Sequence, residues 1–254
     1  MQRFFVPPET LSSERITLRG PLAHQIARVL RMAAGERLVL LDNSGAAYTV
    51  VLDKVTPAGV QAHVEARWQP QTEPSVAVTL YQAIPKGKRW EWVLQKGTEL
   101  GVTRFVPLVT AHSVVRLSPQ EAQGRLARWR EIVREAAEQA GRARLPEVEA
   151  PHPFEAACQA PPAGALALLA CLDVAAQPLR QVLAAVRDDA LQEVRLYIGP
   201  EGGFAAQEIA QAAAVGIRPI SLGPRILRSE TAPLAALSAL LYALGELDPL
   251  DGVA

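Results

Sequence analysis

Two short loops carry the side chains best placed for chemistry. The first, Gly199-Pro200-Glu201-Gly202-Gly203, follows an apolar run at 194–198 that has strand character. The second, Gly223-Pro224-Arg225, follows a short strand expected at 219–222 and runs on to Arg228-Ser229-Glu230-Thr231. Glycine at 199, 202 and 203 permits positive φ and lets a ligand approach the backbone. The loops also carry the ionisable side chains Glu201, Arg228 and Glu230. The amides opening the helix expected at 204–215 lack intrahelical partners, and together with the glycines they could cradle a phosphate. The loop is not a P-loop, because no Gly-Lys-Ser/Thr follows, and its G-x-x-G-G spacing is not the dinucleotide fingerprint. By spacing alone, a tight strand-to-helix turn explains the glycines equally well. A structural ion pair would account for Arg228 with Glu230, and a carboxylate satisfying loop amides would account for Glu201.

The elements that must position these loops divide the chain in two. Residues 1–70 read as a small β domain, with strands expected at 4–6, 15–18, 37–41, 48–52 and 59–66. Its one helix, at 22–30, would place Leu22, Ile26, Val29 and Leu30 on one face, and Asp42-Asn43-Ser44-Gly45 marks a hairpin turn. Residues 68–74 read as a linker, and the second domain is expected at 75–254. There strands at 76–84, 105–109, 166–172, 194–198 and 219–222 alternate with helices at 86–100, 118–140, 177–186 and 204–215. A final helix is expected from about 232 to 247, with Thr231 as its N-cap. Such alternation predicts a mostly parallel sheet covered on both faces. Both glycine loops would then lie at the same ends of neighbouring strands, the edge where open α/β sheets bind ligands.

Composition narrows the class. The 254 residues are 49% hydrophobic and 20% charged, as in a globular protein. Formal net charge is zero, which argues against gripping nucleic acid over the whole surface but leaves room for a local basic face. Arginines at 125–144 form the best basic patch, although Glu121, Glu131, Glu135 and Glu138 interleave with them. No stretch approaches a membrane span, and the N-terminus lacks the features of a signal peptide. Cys158 and Cys171 do not make a disulfide framework, so a cytoplasmic protein is expected. His24, His63, His112 and His152 show no metal-ligand spacing, and no metal is expected.

The two loops, IGPEGGF and SLGPRILRSETA, resemble the paired signature of the bacterial 16S rRNA uridine-N3 methyltransferases, a branch of the SPOUT superfamily. HQIARVLRM at 24–32, EWVLQKGTELGV at 91–102 and WREIVREAAEQAGRARLP at 129–146 are similar to further segments of that family, in the same order. The chain departs from the pattern at Ala111-His112-Ser113, where the family commonly carries an Arg-containing segment.

The resemblance implies an α/β fold: a SPOUT-type trefoil-knotted, mostly parallel sheet domain preceded by a small PUA-like β-barrel that helps bind RNA. It implies S-adenosylmethionine as cofactor, held by Leu172, Ile198, Gly199, Pro200, Glu201, Gly202, Gly203, Leu222, Gly223, Ile226, Leu227, Arg228, Glu230, Thr231 and Ala232. Arg228, Glu230 and Glu201 become the catalytic candidates, because N3 of uracil must lose its imide proton before it can accept a methyl group. Arg3, Arg28, Arg31, Lys86, Lys88 and Arg142 are the expected RNA contacts. The partners expected are small-subunit ribosomal RNA and a second copy of the chain. The final helix offers Leu234, Leu237, Leu241 and Leu244 on one stripe for that dimer. A non-catalytic RNA-binding or ribosome-assembly protein on the same fold is the alternative, and another nucleotide-using α/β enzyme a weaker one.

Overall fold

The structure is a computed structural model that describes residues 1–173, 176–186 and 191–248. The expected end of the second domain, residue 254, lies outside the described residues. The chain forms two compact units, Met1–Glu73 with Ala137–Leu145, and Pro74–Ala136 with Pro146–Ala254.

In the first unit the strands are β1 (Arg3–Phe5), β2 (Arg15–Leu18), β3 (Arg37–Leu41), β4 (Ala47–Thr56) and β5 (Gly59–Trp68). They form a five-stranded sheet in the order β1-β3-β4-β5-β2, with β1 and β3 parallel and the other pairs antiparallel. Alternation drives the inward face. Ile16 and Leu18 of β2 point into a core with Phe4, Leu38, Leu40, Val50, Leu52 and Val60. The Asp42 carboxylate accepts from both the amide and the hydroxyl of Ser44, which closes the β3–β4 turn, and Asn43 takes φ 64°.

The single helix expected at 22–30 is instead a short α1 (Gly20–His24) followed by a π-helical turn, Gln25–Val29. The amide of Leu30 reaches back five residues to the carbonyl of Gln25, at 2.9 Å. The wider turn breaks the 3.6-residue period, so Val29 is 68% exposed rather than inward, while Ile26 stays fully buried.

The first unit also takes in 137–145, which the sequence assigns to the second domain. The carboxylate of Glu73 explains this. It accepts from the amides of Ala143 and Arg144, at 3.0 and 3.1 Å, and pairs with Arg142 at 2.6 Å.

The second unit contains β6 (Ala77–Ala83), α2 (Arg89–Glu99), β7 (Arg104–Val109), α3 (Pro119–Ala140, whose last turn belongs to the first unit), β8 (Glu147–Val148) and β9 (His152–Pro153). It continues with α4 (Phe154–Ala157), β10 (Ala165–Ala170), β11 (Gln177–Pro178), α5 (Leu179–Ala184), β12 (Glu193–Ile198), α6 (Ala206–Ala214), β13 (Arg218–Ser221) and α7 (Thr231–Ala243). Among the described residues the strands run parallel in the order β11-β13-β10-β12-β6-β7-β8, with β9 also paired to β7.

Both faces of this sheet are buried, which is why β10 reads as continuous apolar sequence. Leu166 and Leu168 face one way, among side chains of α2, α3, α5 and α7. Ala167 and Leu169 face the other, with Phe154 of α4 and Ala212 of α6. Trp90 lies edge-on to Trp129 and Phe105 in the first of these cores. No helix among the described residues is long and apolar enough to cross a membrane.

Candidate active site

Strand order brings the site together. β12, β10 and β13 are neighbours, so their C-terminal ends place three loops side by side: 171–173, 199–205 and 222–230. These loops enclose a cleft of about 790 Å³. Every residue expected to hold the cofactor lines it except Thr231. Thr231 is the first residue of α7 rather than its N-cap, a position taken by Glu230, and its amide is already bonded to the carbonyl of Arg228 at 2.9 Å.

The walls are apolar and open. Leu172 is 73% exposed and Ile226 is 84% exposed, so neither plugs the core beneath its loop. Large apolar side chains left in water at a cleft rim form a surface that a ligand can cover favourably.

The glycines act differently from the expectation. Among the four in these loops, Gly203 (φ 69°) and Gly223 (φ 104°) adopt the left-handed conformation, whereas Gly199 and Gly202 do not. At Gly199 space is tight. A Cβ there would stand 3.1 Å from the ring of Phe204 and 3.2 Å from the backbone of Gly203. At Gly202 a Cβ would come within 3.2 Å of His112.

The start of the following helix, which could cradle a phosphate, instead meets a carboxylate. Helix α6 begins at Ala206, and the amide of Ala205 donates to Glu208 Oε2 at 2.8 Å. The other oxygen of Glu208 accepts from the amide of Ala111, also at 2.8 Å, and the residue is 6% exposed. A buried carboxylate at a helix N-terminus takes a donor that an anion would need, and it repels one. His112 adds a second tie. Its Nδ1 lies 3.2 and 3.1 Å from the carbonyl oxygens of Gly202 and Gly203, so Nδ1 carries the proton and donates.

The second loop is held from below. Gln82, fully buried on β6 beside Ile198, donates from Nε2 to the carbonyl of Ser229 at 2.7 Å. Its Oε1 has no hydrogen-bond partner among the described residues. That bond fixes the backbone between Arg228 and Glu230, the two ionisable groups of the loop.

Their charges are not paired with each other. Glu230 lies 3.4 Å from Arg89 Nε, and Glu201 lies 3.4 Å from Arg89 Nη1, so one guanidinium faces both carboxylates. Arg228 is exposed and makes no ion pair among the described residues. Cys171 also lines the cleft, and burial pushes its thiol above the ordinary range.

Of the basic residues expected to contact RNA, Lys86 and Lys88 are exposed just before α2, and Arg28 and Arg31 are exposed in the first unit. Arg3 lies partly buried against Gly141. Arg142 is corrected. Its side chain is 3% exposed and bound by Glu73, so it organises its own unit and does not present charge to a ligand. The sequence alone does not mark Arg89, Gln82, Glu208 and His112 as site residues. For Arg89 the signal was its place beside Lys86 and Lys88 at a helix start. A buried glutamine or glutamate has no such signal, because its partner is a backbone group far away in sequence.

A family model described as an RNA methyltransferase domain matches residues 72–241. Ribosomal RNA small subunit methyltransferase E of Bacillus subtilis is 33% identical over 247 residues, covering 95% of this chain and 96% of that protein. The Synechocystis protein of the same name is 36% identical, covering 94% and 76%. Among solved structures, a ribosomal RNA small subunit methyltransferase E from Neisseria gonorrhoeae bound to S-adenosyl methionine superposes with a TM-score of 0.84, at 33% identity, covering 95% and 97%.

Proposed function

The chain belongs to the RNA methyltransferase family that includes ribosomal RNA small subunit methyltransferase E, and from that premise we propose that it transfers a methyl group from S-adenosylmethionine to N3 of a uridine in small-subunit ribosomal RNA. The observation that carries this is the cleft: three loops from adjacent parallel strands, exposed apolar walls, and two carboxylates facing a guanidinium.

The residues fit the cofactor. The buried Glu208 carboxylate already takes the Ala205 amide at the start of α6, which disfavours a polyphosphate there. Leu172, Ile198, Leu222, Ile226 and Leu227 offer apolar contact to a flat ring, and the loop backbones offer hydrogen bonds to its edge. When bound, S-adenosylmethionine supplies a methyl group on a cationic sulfur. The protein's part is to position the uracil, remove the N3 proton and stabilise the resulting anion. Glu230 or Glu201 accepts the proton, directly or through water, and Arg228 neutralises charge spreading onto the ring oxygens. Methyl transfer in line with the sulfur needs mainly orientation.

Finer features belong to the same reading. The second unit is a trefoil knot, supported by a strand order in which β13 lies on the far side of β10 from β12. The first unit is a PUA-like barrel that adds RNA affinity, supported by its five-stranded sheet and exposed Arg28 and Arg31. The enzyme is cytoplasmic and works as a homodimer. Helix α7 has no charged residue in its 13, it packs against α2, and Tyr242 and Trp92 on these helices are 75% and 49% exposed. A monomer by light scattering at micromolar concentration, with full activity, contradicts that.

The decisive experiment has two arms. S-adenosylmethionine should raise the thermal midpoint where ATP and NAD do not, since a ligand of the native state stabilises it by mass action. Small-subunit RNA from cells lacking the protein should then gain one methylated uridine on incubation with enzyme and cofactor. No methylation by a protein that binds the cofactor would favour the non-catalytic alternative.

A further inference from the structure

Arg89 stands at the first turn of α2, on the rim of the cleft, with its guanidinium shared between loops that are distant in sequence. Nη1 faces Glu201 and Nε faces Glu230, each at 3.4 Å, and the side chain is 40% exposed. Strong charge-assisted bonds between these groups are shorter, about 2.7–2.9 Å. Long, solvated ion pairs hold little and exchange readily. Lys86 and Lys88 are exposed on the loop that leads into α2, so basic side chains precede Arg89 at the cleft.

We propose that Arg89 is an exchangeable latch that leaves Glu201 and Glu230 for a backbone phosphate of the RNA, and so frees the carboxylates when substrate arrives. This rests on the RNA-methyltransferase reading of the cleft. A phosphodiester is the ligand chemistry that a guanidinium takes in preference to a long, solvated carboxylate, through two parallel hydrogen bonds. The exchange couples substrate binding to proton acceptance. Without RNA both carboxylates face a cation. With RNA that cation is spent on phosphate, and a carboxylate can turn to the uracil.

The test is single-turnover methylation by the full chain, titrating unmethylated small-subunit RNA at several salt concentrations. Arg89→Ala should weaken half-saturation by about tenfold and flatten its dependence on log salt by roughly 0.7–0.9, one contact's worth. The loss should fall more on RNA half-saturation than on the saturated rate, and Arg89→Lys should restore most of the RNA affinity. Glu201→Gln should tighten RNA half-saturation when Arg89 is present and leave it unchanged in the Arg89→Ala background. If Arg89→Ala instead lowers cofactor affinity or saturated rate with RNA affinity intact, Arg89 is a brace between loops and the proposal is overturned. An active wild type whose Arg89→Ala variant is indistinguishable also overturns it. A wild type that methylates no RNA overturns the underlying reading.

Discussion

Gln82 and Ser229 are 147 residues apart, yet the Nε2 of one donates to the carbonyl of the other at 2.7 Å inside the protein. The donor sits on a central strand and the acceptor in the loop that carries Arg228 and Glu230. The rigid sheet therefore sets the height of a loop that would otherwise wander.

Replacing Gln82 with Leu should leave a buried carbonyl without a donor. The expected cost is about 1–3 kcal/mol of stability, read from denaturant unfolding. Because the fault lies under the second loop, affinity for S-adenosylmethionine should fall as well. An unchanged cofactor affinity in a destabilised protein would show that this bond supports the fold and not the site.

The two loop glycines should respond differently. Gly223 has φ 104° and open space around a notional Cβ, so Gly223→Val strains backbone in a loop without a clash. It should lose cofactor binding and lower the thermal midpoint only by the cost of that strain, about 1–3 kcal/mol. Gly199→Val drives a side chain into Phe204 and the Gly203 backbone, so its midpoint should fall together with binding. Calorimetry and thermal unfolding on both variants check this. Equal midpoints for the two would mean that Phe204 gives way.

Why the sequence revealed one part of this site and not another follows from the reach of each signal. Apolar runs and a two- or 3.6-residue period act locally, so β10, β12, β13 and α6 were legible to within a few residues. The two glycine loops were legible because glycine relieves a local constraint there, tight space at Gly199 and positive φ at Gly203. Residues 177–186 show the limit. The expected helix begins only at Leu179, because Gln177 and Pro178 pair with β13 as an edge strand. Val29 shows another, since the π-helical turn that ends there turns its side chain outward. Contacts such as Arg89 with Glu230 or Glu208 with Ala111 depend on tertiary approach and leave no local trace.

The two thiols should report on the cleft. Burial is the main influence on Cys171 and raises its pKa, and Asp173 contributes opposing effects. Cys158 is also raised, chiefly by burial. Thiolate is the reactive form, so a raised pKa lowers reactivity at neutral pH and recovers it as pH rises. Alkylation of Cys171 should be slow at pH 7, climb steeply above the ordinary thiol range, and be suppressed by S-adenosylmethionine. Cys158, buried behind α4, should label only on unfolding. Peptide mass spectrometry separates the two. Fast labelling of Cys171 at neutral pH that cofactor leaves untouched would place it outside the ligand's footprint.

The last prediction separates grip from chemistry. Arg28 and Arg31 are exposed on the first unit, and Arg228 is exposed on the cleft of the second. Phosphate contacts add affinity and release counterions without touching the reacting atoms. Neutralising Arg28 and Arg31 together should therefore weaken RNA binding and flatten its salt dependence by about two contacts' worth, with little change in saturated rate. Arg31 holds φ 54°, a conformation costly to any residue but glycine. Arg31→Gly thus removes the charge while relieving strain, and it should lose RNA affinity without losing stability. Arg228→Ala should do the opposite, with near-normal RNA affinity and a single-turnover rate down by roughly two to three orders of magnitude if it stabilises the uracil anion. One titration on the three variants decides the matter. If the Arg28 and Arg31 variants lose rate at saturating RNA while Arg228→Ala loses only affinity, the roles are reversed: the first unit contributes to chemistry and the cleft arginine merely binds.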